Sequence, residues 1–482
     1  MVYLLLIFFP VTMALSCFVL RKHTALVIGL ALSTILVELL LVAQIQLDDP
    51  ARLLGVTLTL NGLNRLFMLL FLGLGGMLFI AAWNLPHGEN FIAIGLLTLA
   101  EVCAILLLQD LFITALLLVA TGLTAVLAIV DLPAGASNLV GTRTIAAALK
   151  YLVLMAVAGA LMYIAFVLTD IFRPGELPGR ISLARFILAL LAVSFALRLA
   201  LIPFHTWLTD MFYYAEPLVS ALVITLLNTV SLLVLVLTFQ SFPALLVESQ
   251  ASLTIMRIGA VGAALLGGAL ALGQQSLRRT LAYMILYDCG MVFYGLASLS
   301  EIGLTGAIMG ALNQTIAVTL ICVSLGLLER PDGRPPAIRR DLLRRWPVAG
   351  AGLLVGALAL LGVPPLNGYT SKLLLYQAAA EQGWGELIAL LLATALAGLA
   401  LARVAHERLL GPSDEGPNAE PLLLGEVDLD RPAERRLAAE PRSAAALTLA
   451  RLGACLLIGL YPQPILATID EAIRGLAFIR AL

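Results

Sequence analysis

The chain has 482 residues, of which 61% are hydrophobic and 12% are charged, and its mean hydropathy is +1.02. Soluble proteins carry about 25% charged residues, so this composition excludes an ordinary soluble domain and indicates a protein embedded in lipid. The formal net charge of -1 argues against nucleic acid as a partner. The five cysteines stand singly inside apolar stretches, without a C-x-x-C pair, so we expect neither a bound metal nor a disulfide framework.

Apolar runs long enough to cross a bilayer recur along almost the whole chain. They predict an all-α polytopic membrane protein with about fourteen transmembrane helices. The first run lacks both a preceding basic region and a small-residue cleavage site, so we interpret it as a membrane span and not as a removed signal. The predicted spans are residues 2–20, 24–46, 65–84, 91–108, 111–131, 144–169, 184–206, 217–240, 252–273, 280–299, 302–327, 347–372, 384–410 and 443–461.

Basic residues in the short connections predict how the chain is oriented. Arg and Lys are concentrated in the loops that follow odd-numbered spans, and the positive-inside rule places those loops in the cytoplasm. Both termini are therefore expected on the non-cytoplasmic side of a bacterial or archaeal cytoplasmic membrane. Residues 412–442 are rich in Pro, Glu and Arg and are expected to form a polar cytoplasmic loop, as a linker in preference to a folded binding module.

Proline interrupts two of the predicted spans at matching places. Pro203 lies within the seventh span, and Pro364 and Pro365 lie within the twelfth. Each broken span is the fourth member of a block of five helices, and because five is an odd number the second block runs inverted relative to the first. Broken helices in inverted halves indicate the ion pathway of a transporter, although two ordinary proline kinks would give the same pattern. The predicted parts of the single membrane domain are residues 1–90 (helices 1–3), 91–240 (first inverted repeat), 252–411 (second inverted repeat), 412–442 (polar loop) and 443–482 (C-terminal helix and tail).

Lysine is almost absent from the chain. Only Lys22, Lys150 and Lys372 occur, and the last two lie inside apolar stretches. A charged side chain at the bilayer centre costs about 2.5–3.5 kcal/mol on insertion scales. Arg stays protonated in proteins, whereas a desolvated Lys titrates readily. These two lysines therefore indicate proton or ion handling, although Lys150, near the start of its helix, could instead extend to the cytoplasmic surface.

Four short motifs occur in a characteristic order between about residues 145 and 375. Through them the chain resembles the antiporter-like membrane subunits of respiratory complex I, of the NADH:quinone oxidoreductase N/M type. It is similar in the same way to the D subunits of Mrp-type cation/proton antiporters and to membrane-bound hydrogenase subunits. The motifs are Leu149-Lys150-Tyr151, Ile202-Pro203-Phe204-His205-Thr206-Trp207-Leu208 with Pro217-Leu218-Val219-Ser220-Ala221, Gln275-Ser276-Leu277-Arg278-Arg279-Thr280-Leu281-Ala282-Tyr283, and Gly362-Val363-Pro364-Pro365-Leu366-Asn367-Gly368 followed by Ser371-Lys372.

The chain departs from the pattern of this family at several polar positions. The glutamate usual in the fifth span is missing, since residues 118–121 contain no acid. Arg198 and Asn228 stand where the family has lysines in the seventh and eighth spans, and Asp288 stands where a histidine is common in the tenth. Lys372 keeps the usual lysine of the twelfth span. The resemblance thus implies a proton path that has lost its titrating lysines in the first repeat.

Candidate proton-transfer residues follow from the polar side chains left in the spans. In the second repeat they are Lys372 as a titrating relay, Asp288 as its acidic counterpart, and His406 late in the thirteenth span. The competing interpretation is a buried ion pair that only fixes helix packing. Asn313 and Gln314 are expected to hold a bridging water between them.

The first repeat offers a weaker set of candidates. They are Arg198 as a fixed cation, Glu101 as its compensating anion, Lys150, and His205 at the proline break. Glu101 could instead satisfy another buried polar group, and His205 could simply hydrogen-bond at a helix end. Glu38 in the second span lies outside both repeats, and the sequence indicates no role for it.

The resemblance implies a proton-translocating subunit of a redox-driven membrane complex, working mainly through the second repeat beside other membrane subunits. No flavin, iron–sulfur or haem pattern is present, so we expect no cofactor bound by this chain and no catalytic residue. Two alternatives remain open. One is a scaffold subunit whose proton channel has decayed, and the other is a component of a cation/proton antiporter that works without a redox partner.

Overall fold

A computed structural model describes residues 2–53, 55–133, 138–169, 171, 183–248, 250–329, 343, 346–410 and 442–476. The polar stretch predicted at residues 412–442 lies outside these ranges except for its last residue, which begins a helix. The described residues form α-helices and one two-stranded antiparallel sheet, β1 (Ala51–Leu53) with β2 (Val56–Leu58). The polytopic helical architecture expected from the apolar runs is therefore confirmed.

The helices follow the predicted spans closely, with additional short helices between them. In chain order they are α1 (Val2–Val19), α2 (Thr24–Gln44), α3 (Gly62–Ala82), α4 (Phe91–Leu107), α5 (Leu111–Val130), α6 (Asn138–Thr169), α7 (Leu183–Arg198), α8 (Thr206–Tyr214), α9 (Pro217–Leu222), a π-helical turn (Val223–Leu227), α10 (Asn228–Ser241), α11 (Pro243–Glu248), α12 (Gln250–Gly273), α13 (Leu277–Ser298), α14 (Glu301–Glu329), α15 (Pro347–Leu361), α16 (Gly368–Gln382), α17 (Trp384–Val404), a second π-helical turn (Ala405–Leu409), α18 (Arg442–Leu460) and α19 (Gln463–Arg474).

Eleven helical stretches of the described chain are long and apolar enough to cross a membrane, where the apolar runs predict about fourteen. The remaining predicted spans correspond to shorter helices. Helix α4 has 17 residues, and α7 and α15, with 16 and 15 residues, both stop at the proline-containing breaks. Helices α4 and α15 are apolar but shorter than the eleven stretches.

The centre of the bundle is formed by α10, α13 and α14. Nearly every residue of these three helices is buried, whereas α1, α2 and α6 expose many large apolar side chains, as helices facing lipid do. Helix α13 is the least apolar of the eleven candidate spans and is nevertheless buried. Its polar side chains must consequently face other helices and not lipid.

The two proline-containing breaks have the same backbone conformation. A residue with positive φ ends the first helix of each pair, with φ 57° at Ala200 and 79° at Gly362. Each break also contains one cis X–Pro peptide bond, at Pro203 and Pro365. The matching backbone hydrogen bonds are Leu201 N to Ala196 O (2.9 Å) with Val363 N to Leu358 O (3.1 Å), and Phe204 N to Leu201 O (2.7 Å) with Leu366 N to Val363 O (3.0 Å). The breaks are therefore the same local structure built twice.

Candidate functional site

Two fully enclosed charges form an ion pair between α13 and α16. The Nζ atom of Lys372, in the second turn after the break, donates to Oδ1 of Asp288 at 2.5 Å. Lys372 is 2% exposed and Asp288 is fully buried. An ion pair removed from water needs close geometry and further polar partners to offset its desolvation. The side chains around the pair therefore determine both its stability and its chemistry.

Glycine and an aromatic ring shape the space around the lysine. A Cβ atom at Gly362 would collide with the stem of Lys372, so only glycine leaves room for that side chain. The φ of 79° at the same residue also favours glycine. The Lys372 ammonium lies 4.7 Å from the centroid of the Tyr287 ring, which attracts a cation through its negative face. The break thus positions the amine against an acid and an aromatic ring together.

The end of α15 is capped from the neighbouring helix α14. Asn313 Nδ2 donates to the carbonyl oxygen of Ala359 at 3.2 Å, in the last turn before the break. Backbone groups freed inside a membrane protein need such partners because lipid supplies none. Gly368 packs so closely on the same carbonyl that a Cβ atom there would collide with it. The break is therefore supported by specific packing as well as by its prolines.

On one side of the ion pair lies an amide cluster, formed by Asn228, Cys289 and Gln314. Gln314 Nε2 donates to the Cys289 sulfur at 3.3 Å, and Asn228 Nδ2 donates to it at 3.9 Å. Gln314 is thus directed away from the Asn313 contact with α15, and the expected sharing of a water between these two side chains stays a prediction. Amide groups neither gain nor lose protons near neutral pH. The two amides can therefore orient hydrogen bonds but cannot themselves exchange protons.

On another side lies a hydroxyl cluster, formed by Tyr287, Tyr376 and Thr394. The Tyr287 and Tyr376 hydroxyls lie 2.7 Å and 2.5 Å from Thr394 Oγ1. Tyr376 is one turn beyond Lys372 on α16, and Tyr287 adjoins Asp288 on α13. Hydroxyls both donate and accept, so this cluster can hand protons along hydrogen bonds. The sequence analysis missed these three residues; the low hydropathy of α13 is a signal that could have pointed to Tyr287.

Arg198 and Glu101 do not form the expected pair in the described structure. Arg198 is 3% exposed, and its Nε and Nη2 atoms have no hydrogen-bond acceptor among the described residues. The Glu101 carboxylate instead accepts from Thr124 Oγ1 at 2.8 Å. The reason is packing, because α4 lies against α1 and α5 whereas α7 lies against α6. Glu101 thus satisfies a neighbouring hydroxyl, which was the alternative left open for it.

Lys150 pairs with an acid that the sequence analysis passed over. Its Nζ contacts the carboxylate of Asp210 on α8, with side-chain exposures of 42% and 33%. Pairs this exposed contribute only about 0–1 kcal/mol to stability. His205 lies close by at the break, with its ring centroid 6.1 Å from that of Tyr283. Lys150 is thus partly exposed, which agrees with the alternative that it extends toward a surface. Its contact is with Asp210 and not with Arg198.

The two broken helices carry opposite charges at equivalent positions. Asp210 follows Pro203 at the same sequence distance at which Lys372 follows Pro365. The acid of the first helix pairs with a lysine from α6, and the lysine of the second pairs with an acid from α13. The first pair is partly exposed and the second is enclosed. The two breaks therefore share a backbone conformation but are followed by side chains of opposite charge.

The candidate His406 and the unassigned Glu38 both lie away from the buried ion pair. His406 lies in the π-helical turn at the end of α17 and is exposed, so it is not part of the enclosed site. Glu38 on α2 is 1% exposed, and neither of its carboxylate oxygens has a hydrogen-bond partner among the described residues. The structure therefore brings together only Lys372 and Asp288 among the residues that the sequence proposed for the second repeat.

Comparison with known proteins agrees with the motifs. The family model described as NADH:quinone oxidoreductase/Mrp antiporter, transmembrane, matches residues 136–397. F(420)H(2) dehydrogenase subunit N of Methanosarcina mazei is 28% identical over 364 residues, covering 70% of this chain and 72% of that relative. Matches to several bacterial NADH-quinone oxidoreductase N subunits span about half the length of those relatives.

Solved structures share the whole fold. A chain of the Mrp complex from a Dietzia species superposes with a TM-score of 0.81 at 19% identity, covering 99% of this chain and 98% of that one. A chain of the membrane-bound sulfane sulfur reductase, an archaeal respiratory membrane complex, gives a TM-score of 0.80 at 17% identity, with coverage of 100% and 98%. At sequence identities this low, the structural similarity establishes only the arrangement of the helices.

Proposed function

Because this chain belongs to the NADH:quinone oxidoreductase/Mrp antiporter membrane family, as its motifs suggested, we propose that it is a proton-translocating subunit of a redox-driven membrane complex. In such a complex it would sit beside other membrane subunits that carry out the electron transfer. Protons would pass mainly through the half built from α12 to α17. The enclosed ion pair of Lys372 and Asp288 is the observation that carries this proposal.

A lysine paired with an acid in an apolar interior has the properties that a proton relay needs. The ammonium can lose a proton, whereas a guanidinium in the same place would stay charged. Loss of that proton leaves the carboxylate of Asp288 without its counter-charge, and this favours prompt return of a proton to Lys372. The hydroxyl cluster beside Lys372 supplies groups along which the proton can leave. Each turnover would thus move one proton through one site.

We also infer that the chain crosses the membrane about fourteen times, as two inverted five-helix repeats. The identical backbone conformation of the two breaks supports this arrangement, because it recurs at a constant offset in the sequence. Helices α4, α7 and α15 would then cross despite their short length, with α8 and α16 completing the last two. The positive-inside pattern would place the connection between α12 and α13 in the cytoplasm.

One observation favours the scaffold alternative for the first half of the chain. Arg198 and Asn228 occupy the positions where the resemblance leads one to expect lysines, and neither side chain exchanges protons near neutral pH. A decayed path in that half is compatible with an active path in the other. The scaffold function would extend to the whole chain only if Lys372 also proved dispensable.

The identity of the neighbouring subunits tests the redox assignment. Purification of the complex from its native membrane in mild detergent, followed by mass spectrometry, is expected to recover subunits that bind iron–sulfur clusters. Their visible absorption and iron content provide an independent measurement. Recovery of small membrane subunits alone, without iron, would contradict the redox-driven assignment and favour the cation/proton antiporter.

Arg198→Lys is expected to leave both assembly and proton translocation close to the parent level. The Nε and Nη2 atoms of Arg198 have no acceptor among the described residues, so these two nitrogens of the guanidinium group make no hydrogen bond that lysine would lose. Either side chain can then supply a positive charge at this position. The measurements are complex yield and the rate of proton uptake into vesicles. A large loss of translocation at normal yield would show that the guanidinium makes a specific contact.

A further inference from the structure

Four polar residues at one end of the second half form an outer cluster, consisting of Arg257, Tyr294, Gln382 and Glu386. Arg257 Nε donates to Glu386 Oε1 at 2.9 Å, and the Tyr294 hydroxyl donates to Glu386 Oε2 at 2.7 Å. Arg257 Nη1 also donates to Gln382 Oε1 at 2.6 Å. The side chains of Arg257 and Glu386 are 20% and 22% exposed, so this pair is only partly buried. Helices α12, α13, α16 and α17 are thereby joined at this end.

The outer cluster lies on the same helix faces as the hydroxyl cluster. Tyr294 follows Tyr287 by two turns on α13, and Glu386 precedes Thr394 by about two turns on α17. At a rise of about 1.5 Å per residue the two clusters are separated by roughly 10–12 Å along the helix axes. A single axis therefore leads from Lys372 through the hydroxyl cluster to Glu386.

An apolar layer separates the two clusters. Leu390, one turn from Glu386 and one turn from Thr394, is fully buried, and so is Met291 between Tyr287 and Tyr294. Hydrophobic constrictions close a path by excluding water from it. A proton that leaves the hydroxyl cluster can consequently reach Glu386 only when this layer admits water.

We propose that Arg257 and Glu386 close the outer end of the proton path above Leu390, and that Glu386 is the group that releases protons to the solvent. This inference rests on the proposed function. A proton arriving at Glu386 removes the charge with which Arg257 is paired, so the pair loosens. Once that proton passes to solvent, the carboxylate is ionised again and the pair re-forms. The ion pair thus opens only while a proton is being handed over, which prevents continuous leakage.

Cysteine labelling tests the closure without requiring any redox activity. Leu390→Cys, in membrane vesicles containing the full chain, is treated with a membrane-impermeant maleimide from either side. All five native cysteines are buried in the described structure, so the background should be low. Leu390→Cys alone should remain unlabelled, and adding Arg257→Gln should make it react from the non-cytoplasmic side. A matched control is Leu320→Cys on the buried helix α14, which should stay unlabelled in both backgrounds.

Proton release provides the second measurement. Glu386→Gln keeps the size of the side chain and an oxygen that accepts from Arg257, yet should slow translocation by about 100-fold or more, as loss of a proton-transfer group does. Glu386→Asp should retain most of the parent rate. If Glu386 had only a structural role, Glu386→Gln and Glu386→Asp would translocate protons at similar rates when the complexes are present in equal amounts.

Identical labelling of Leu390→Cys with and without Arg257→Gln would overturn the closure, and normal translocation by Glu386→Gln would overturn the release role. Both outcomes are separable from a failure of the proposed function, because the labelling does not depend on pumping and normal translocation by Glu386→Gln would leave that function intact. If Lys372 variants translocated normally, the proposed function itself would fall.

Discussion

Lys372→Met is expected to abolish proton translocation and also to lower the yield of the assembled complex. The substitution removes the only titrating amine of the enclosed site and leaves the Asp288 carboxylate buried without its partner. Removal of one member of a buried ion pair typically destabilises a protein by about 3–5 kcal/mol. The measurements are proton uptake into vesicles, electron transfer in the same preparation, and the amount of intact complex.

Two companion variants separate the loss of transport from the loss of stability. Lys372→Met combined with Asp288→Asn leaves no unpaired charge, so yield should recover while translocation stays absent. Lys372→Arg retains the positive charge but cannot give up its proton, so it should assemble and not translocate. Normal translocation by Lys372→Arg would contradict a relay and favour a structural ion pair.

Gly368→Ala is expected to disrupt the second break and strongly reduce assembly. A Cβ atom at this residue would collide with the carbonyl oxygen of Ala359, which is backbone and cannot move aside like a flexible side chain. The collision would also displace Asn313 from the same carbonyl. Overpacking in a filled interior costs about 1–3 kcal/mol, and loss of a buried hydrogen bond adds about 1–3 kcal/mol. Thermal unfolding of the purified complex measures the change.

Gly453→Ala is the matched control for this substitution. Gly453 lies within α18, where a Cβ atom would meet no other atom within 4 Å. Alanine has the higher helix propensity, so this variant should assemble at least as well as the parent chain. Equal stability of Gly368→Ala and Gly453→Ala would show that the break tolerates displacement and does not fix the position of Lys372.

The membrane helices could be predicted where a long apolar run coincides with one helix. The run at residues 111–131 corresponds to Leu111–Val130, for example. Helices that follow the breaks were truncated or missed, because Thr206–Tyr214 and the second half of Gly368–Gln382 carry many polar residues. The hairpin at Ala51–Leu58 and the helix Gln463–Arg474 were missed for a different reason, since neither contains a long apolar run.

The candidate site could be predicted in part. Lys372 and Asp288 stand out because charges are rare within the apolar runs, and the resemblance pointed to the first of them. Partners were harder to assign, since a side chain on one helix does not reveal which helix packs against it. Glu101 therefore looked like a counter-ion for Arg198, although α4 and α7 are not packed against each other. Asp210 was overlooked because its equivalence to Lys372 depends on the break conformation.

The amide cluster beside the ion pair has an energetic consequence for the proposed complex. Asn228 and Gln314 both donate to the Cys289 sulfur, and neither amide exchanges protons near neutral pH, so under the proposed function the two halves would pass no protons to each other through these amides. If only the second half translocates protons, as proposed, fewer protons would cross per electron pair than in a subunit with two active halves. The free energy of a given redox reaction would then be divided among fewer protons, and the complex could translocate against a steeper transmembrane gradient.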